Sequence, residues 1–387
     1  MTLKEELEVL RGEPIEVFTG TPMDIPCIET SDPEKLCKHP VVSVQMITYN
    51  HEPYIRQAIE GVMMQKTDFE FELIIGEDCS QDKTREICFE YQKKYPDKIR
   101  VLWWHENVSK LGGNGRRCRA RCRGEFIAFC EGDDYWIDPQ KLQKQVDVMR
   151  KYPSVGMVFC DAKVYWEMQG RWAEWDGGAY GRGKVPRVIG LLYQIYGKDV
   201  NDWSKDEMHI LTATVMIRRT ILIKMQEKFD IFQWKLKLGD KQLFIASACV
   251  SRLYYIHAKV SVYRRNNGGA MSRIGHEVIR DVLIVQQYFA KKGLGLQLRD
   301  APRNFQSMIL SRYLSAMCAL SYFLRIKKTS HAVRTSMPKI LSVSFFMFAV
   351  MAFHRGVFGL MAWRCLHMYL RSVDLLPARI KNLYCAA

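Results

Sequence analysis

Val41-Val42-Ser43-Val44-Gln45-Met46-Ile47-Thr48-Tyr49-Asn50-His51-Glu52 is the stretch on which the fold turns. Its first seven residues are a short apolar run rich in β-branched side chains, which reads as a strand buried on both faces. Thr48 to Glu52 is polar, and Pro53 stands where a helix tolerates proline, in the first turn. Ile55, Ala58, Ile59, Val62 and Met63 then recur at helical spacing. The alternation continues with strands at 71–76, 99–103 and 125–130, a helix from Ser80 and Asp82 through Tyr91, and a helix over 116–123. Strands alternating with helices in this way predict right-handed crossovers and a parallel sheet covered on both faces, an α/β fold. In such sheets ligands bind beyond the carboxyl ends of the strands. Three of the four ends carry polar clusters, at Thr48-Tyr49-Asn50-His51-Glu52, Glu77-Asp78-Cys79-Ser80 and Glu131-Gly132-Asp133-Asp134, so these should meet in space.

Composition narrows the partners. Across 387 residues, 57 Lys and Arg stand against 42 Asp and Glu, a net charge of +15. That excess excludes a strongly acidic solvating protein and leaves nucleic acid, an anionic membrane surface or phosphorylated small molecules. The charge is unevenly spread: from Asp300 onward twelve Lys and Arg face only Asp300 and Asp374, ten of the fifteen net charges. Met1 to Arg11 is charged and lacks an apolar core, so no secretory signal is expected. The twelve cysteines include no CxxC pair, which disfavours a zinc module and suits scattered reduced thiols in the cytoplasm. Ile340 to Phe353, fourteen residues ending at His354-Arg355, is too short to read as a membrane span.

Glu131-Gly132-Asp133-Asp134 is the most informative cluster. Carboxylates spaced in this way just past a buried strand can face one hard cation, Mn or Mg, whose shell water and substrate phosphates complete. A turn with solvated acids is the alternative. No GxxxxGK[ST] is present, and Leu111-Gly112-Gly113-Asn114-Gly115 lacks GxGxxG spacing, which disfavours P-loop and dinucleotide chemistry. Asp78 also suits a helix cap, and Asp240 an ordinary turn or N-cap ahead of a helix at 243–246. The arginines at 116, 117, 119, 121 and 123 lie all round one helix, so most are expected in solvent, with one or two turned to phosphate.

From Val41 to Asp161 the chain resembles the nucleotide-binding half of an inverting family 2 glycosyltransferase of the GT-A fold. The resemblance rests on Thr48-Tyr49-Asn50 with Tyr54, on Glu77 to Thr84 in place of DDGSxDxT, on Glu131-Gly132-Asp133-Asp134 in place of DxDD, and on Asp138-Pro139 with Lys141-Leu142. Downstream, His209 to Arg219, Gly239-Asp240 and Tyr263 to Gly269 resemble the acceptor half of bacterial surface-polysaccharide (capsule and O-antigen) transferases. The resemblance implies a GT-A domain, Rossmann-like with a mostly parallel sheet between helices. It implies that Thr48, Tyr49, Asn50, Glu52, Glu77 and Asp78 surround the nucleotide, with Tyr49, Glu52 and Asp78 holding the nucleoside. Asp133 and Glu131 would then hold Mn or Mg on the diphosphate with Asp134 beside them, Lys110 and Arg119 would reach diphosphate oxygens, and Asp240 would be the catalytic base. Glu131 and Glu77 depart from the aspartates of the family pattern. Gln169-Gly170-Arg171-Trp172 does not match the QxxRW of processive synthases, which favours transfer of single sugars.

The organisation expected is an N-terminal leader over 1–40, a nucleotide-sugar half over 41–162, an acceptor half over 163–299 and a basic, amphipathic helical extension over 300–387. The expected donor is a nucleotide sugar, UDP-linked by preference, and the acceptor a glycan or lipid-linked molecule. Phe345, Phe346, Phe348, Met351 and Phe353 beside the tail's arginines suit a helix lying on the inner face of the cell membrane rather than a nucleic-acid surface. A helical cap or a homo-oligomer contact is the alternative for the tail. For the whole chain, a nucleotidyltransferase and a non-catalytic nucleotide- or glycan-binding protein are the competing readings.

Overall fold

The structure is a computed structural model that describes residues 2–11, 14–18, 27–108, 113–175, 183–185, 210–236 and 239–266, with Asp281, Ile284, Val285, Tyr288, Phe289 and Lys292 beyond them. The chain divides into two compact units, one of Glu16–Gln194 with Glu207–Ile279, the other of Met1–Ile15, Ile195–Asp206 and Arg280–Ala387. In the second unit α1 (Leu3–Arg11) buries Leu7, and its Glu8 accepts the Ile15 amide at 2.9 Å. Tyr288 and Phe289 are buried there edge to face, ring centres 5.1 Å apart. The 300–387 extension, Lys110 and His209 lie outside the described residues.

The larger unit is built on one mixed sheet. β2 (Val42–Thr48), β3 (Phe71–Glu77), β4 (Ile99–Trp103) and β5 (Phe126–Phe129) run parallel in the order β4-β3-β2-β5, with β2 in register from Val42 opposite Phe71 to Thr48 opposite Glu77. β1 (Ile28–Thr30), inside the expected leader, adds antiparallel to β4 and closes that edge. On the other side β10 (Met216–Arg218) lies antiparallel between β5 and β7 (Val155–Trp166). β11 (Arg252–Arg265) runs parallel to β7 and carries the short β6 (Tyr135–Trp136) and β9 (Gly183–Val185) antiparallel to it. β8 (Arg171–Trp175) folds back on β7 as a hairpin. β7 crosses position 162 without a break, so the two halves share a sheet rather than a linker.

One face of the parallel strands is apolar. Val42, Val44 and Met46 pack with Ile55, Ile59 and Val62 of α2 (Ile55–Met63), Ile87 and Cys88 of α3 (Thr84–Lys94), and Leu142 and Val146 of α5 (Lys141–Lys151). The opposite face carries Ser43 and Glu72 on β2 and β3, both buried, and α4 (Asn114–Ala120) packs across these strands. Glu72 accepts Ser43 Oγ at 2.6 Å, Arg123 Nε at 2.8 Å and Arg100 Nη1 at 3.2 Å, so the buried charge is fully ligated. This network also ends α4 earlier than the sequence suggests. The Arg123 and Gly124 amides both donate to Ser43 Oγ, at 3.0 and 2.8 Å, which draws the chain out of the helix after Ala120. Two further helices complete the unit, α6 (Arg219–Lys228) and α7 (Gly239–Val250), the latter starting at the Gly-Asp pair.

Candidate active site

The polar loops at the carboxyl ends of β2, β3 and β5 do meet. Asn50 and Cys79 take left-handed backbone conformations, φ 54° and 61°, turning the β2 and β3 loops towards each other. Asn50 N donates to Ser80 Oγ at 3.0 Å, and the Gln81 amide donates to Asn50 Oδ1 at 2.8 Å. His51 N donates to Thr84 Oγ1 at 2.8 Å. Glu52 N donates to Asp82 Oδ2 at 3.0 Å, while Glu52 Oε2 accepts the Lys83 amide at 3.1 Å. Asn50 and Glu52 thus brace the two loops together. Tyr49 stands at the same rim, 39% exposed.

Glu77 and Asp78 are both buried, with different duties. Glu77 accepts the Ser80 amide at 2.7 Å and pairs with Arg85, which also donates to Trp104 O at 2.8 Å. Its carboxylate is therefore spent on the turn. Asp78 Oδ1 accepts the Val108 amide at 2.7 Å, fastening the strap that follows β4. Arg119, expected near the diphosphate, draws its guanidinium inside and donates to Gln45 Oε1 at 3.4 Å; burial pushes it down to about 10. Arg117, expected among the solvated arginines, is fully buried.

The acid loop follows β5 directly. The Gly132 amide donates to Ile47 O at 2.9 Å, so the loop lies against the end of β2. A Cβ on Gly132 would fall 2.6 Å from Thr48 Oγ1 and 2.8 Å from His51 Nδ1, a close approach that only glycine permits. Asp134 is buried, accepts the Arg264 amide at 2.9 Å, and is held well above the usual carboxylate range by burial and by its neighbours Asp133 and Glu131. Burial, then Asp133 and Asp240, raises Glu131 to about 8. Asp240 is thus near enough for its charge to be felt at the acid loop. Its own Oδ1 accepts the Lys241 amide at 2.7 Å in the first turn of α7.

Three acids crowd this loop, with the charge of Asp240 felt at Glu131, and a cation is what would relieve them. Glu131 Oε2 is buried without a hydrogen-bond partner, as are the adjacent Thr48 Oγ1 and His51 Nδ1. Among the described residues no three His, Cys, Asp or Glu side chains are arranged to hold an ion. Glu131, with its unpartnered Oε2, and its neighbour Asp133 are the acids of this loop on which a divalent cation would draw.

Three residues around Asp133 were not assigned individually from the sequence. His51 Nε2 lies 3.9 Å from Asp133 Oδ2, and Asn266 Nδ2 donates to the same oxygen at 3.2 Å. Burial holds the His51 imidazole below its usual range against the opposing pull of Asp133. Arg264 donates to Asp133 O at 2.6 Å and is sandwiched by Tyr54 and Tyr135, 5.2 and 4.4 Å from the ring centres. The run Tyr263-Arg264-Arg265-Asn266 was the available signal; the pairing of β11 with β6 delivers it to the acids. Tyr54 also donates to Glu167 Oε2 at 2.7 Å, tying the β7–β8 turn to the rim.

A parallel nucleotide-type sheet joined to a second half across an acid loop defines the GT-A architecture. Residues 43–225 match the model of the Glycosyl transferase family 2, and this part of the chain is a domain of that family. Over 126 residues the chain is 40% identical to an uncharacterised protein of Mycobacterium tuberculosis, covering 33% of this chain and 36% of that one. Over 110 residues it is 34% identical to the putative teichuronic acid biosynthesis glycosyltransferase TuaG of Bacillus subtilis, 28% of this chain and 42% of TuaG. The chain thus aligns with less than half the length of these relatives. The crystal structure of Staphylococcus aureus TarS 1–349 superposes with a TM-score of 0.53 at 17% identity, over 86% of this chain and 90% of that one. TarS 1–349 has also been solved in complex with UDP-GlcNAc; that structure superposes with a TM-score of 0.50 at 18% identity, over 81% of this chain and 92% of that one.

Proposed function

We propose that the chain is a metal-dependent, inverting glycosyltransferase that moves one sugar from a nucleotide-sugar donor, UDP-linked by preference, to a glycan or lipid-linked acceptor in surface-polysaccharide synthesis. The observation that carries this reading is the crowding of Glu131, Asp133 and Asp134 in one loop, with the charge of Asp240 in the first turn of α7 felt at Glu131. The UDP-GlcNAc complex of TarS and the teichuronic acid assignment of TuaG support the donor class and the polymer context.

In this reading Tyr49 stacks on or flanks the nucleoside, Asp78 accepts from the base, and the braced loops of Thr48, Asn50, Glu52 and Glu77 form the floor. Glu131 and Asp133 hold Mn or Mg, which when bound neutralises charge on the departing diphosphate. Arg264 and Asn266 fix Asp133 in place. Asp240 takes the proton from the acceptor hydroxyl as that oxygen attacks the anomeric carbon from the face opposite the leaving group. The described residues contain no helix long and apolar enough to cross a membrane. Association with the inner membrane face, like oligomer formation, is assigned to the 300–387 extension.

The test is a panel of nucleotide sugars with and without Mn, read as donor turnover and as thermal shift on the full chain. Stabilisation confined to UDP-sugars plus metal is expected. Asp240→Asn should lower kcat by about 10²–10⁴-fold while donor binding persists. Turnover unchanged in Asp240→Asn removes the base assignment, and pyrophosphate release from a nucleoside triphosphate would replace the reading with nucleotidyl transfer.

A further inference from the structure

Arg117 on α4 is 0% exposed, and all three of its guanidinium nitrogens are buried without a hydrogen-bond partner. Five N–H donors left idle out of water are costly, and such a group calls for acceptors supplied from elsewhere. Its surroundings say where. A Cβ on Gly113 would fall 2.5 Å from Arg117 Nη1, and the Trp104 ring centre lies 5.6 Å from Cζ. Gly113 N donates to Val108 O at 3.1 Å, and Val108 N donates to Asp78 Oδ1 at 2.7 Å. Arg117 therefore lies beside the strap that Asp78 fastens at the end of β3, near enough for the Asp78 charge to act on it although the two do not hydrogen-bond.

We propose that Arg117 is a base-reading residue: it donates to a carbonyl of the donor's nucleobase while Asp78 accepts the neighbouring ring N–H, so that the pair selects uracil over cytosine. The inference rests on the glycosyltransferase reading above and adds a specificity determinant to it. Uracil presents an N–H flanked by carbonyls, which matches one carboxylate beside a fork of donors. Cytosine presents a bare ring nitrogen and an amine, which sets acceptor against acceptor and donor against donor. A phosphate dianion suits this position less well, because the Asp78 carboxylate would repel it, whereas the base is neutral.

The experiment is calorimetric titration of the full chain with UDP and with CDP in the presence of Mg, for wild type, Arg117→Lys and Arg117→Met. Wild type should prefer UDP by about tenfold or more; both variants should lose about tenfold in UDP affinity and leave CDP within about threefold. Lysine keeps the positive charge beside Asp78 but not the fork, so it separates directional donation from charge. Gly113→Ala, which displaces the guanidinium without removing it, should give the same collapse of the UDP preference and stands in if the Arg117 variants do not fold. Equal weakening of UDP and CDP, or a UDP preference retained in Arg117→Lys, overturns the assignment while leaving the enzyme reading intact. A wild type that binds neither nucleotide overturns the enzyme reading itself.

Discussion

Lys141 shows what a single residue can contribute unseen. The sequence places it in a family-like Asp-Pro-x-Lys-Leu run at the start of α5, with no hint that its amine is interior. In the fold it is 0% exposed, donates to Gln145 Oε1 at 2.9 Å and lies 4.0 Å from the Trp136 ring centre. Burial lowers its pKa from 10.5 to about 8. Between those values the unfolded chain still binds the proton and the folded chain has released it, so stability rises with pH across the window. The increment approaches about 3 kcal/mol at the upper end. Denaturant titrations at pH 7.5 and 10, run beside Lys141→Met, should show this gain in wild type and not in the variant. Arg117 was equally hidden: arginines crowded at 116, 117, 119, 121 and 123 read as a solvated helix, because sequence spacing reports a face and not its depth. The acids were legible because chemistry and position coincide at the end of a strand.

At the scale of elements, the four parallel strands and the helices between them could be read closely, since period-two and period-3.6 patterns are local. The antiparallel insertion of β10 between β5 and β7 could not. Three residues, Met216–Arg218, pair with strands roughly sixty and ninety positions away in sequence, a contact without a local signature. Glu72 is a related case, a carboxylate inside an otherwise apolar strand. Its ligation by Ser43, Arg100 and Arg123 joins β2, β3, β4 and the exit of α4 into one structural knot. Glu72→Gln should destabilise the protein by about 3 kcal/mol, the lower end of the range for breaking a buried pair because Arg123 is partly exposed. Chemical denaturation measures this directly, and a loss below about 1 kcal/mol would mean the arginines find water instead.

For the whole molecule, the charge separates into a mildly basic body around an acidic site and a strongly basic extension from Asp300 onward. If that extension meets an anionic membrane, the full chain should co-sediment with vesicles containing phosphatidylglycerol, weaken as salt rises, and ignore vesicles of phosphatidylcholine. Co-sedimentation indifferent to lipid charge would remove the electrostatic part of the proposal. The hydrogen bonds that lace Asn50, His51 and Glu52 to Ser80, Gln81, Asp82, Lys83 and Thr84 have a different kind of consequence. Neither loop can drift alone, so substitutions in one change the worth of substitutions in the other, and double-mutant cycles across them should be strongly non-additive. Descendants of this chain would then change their donor only through paired replacements, one in each loop.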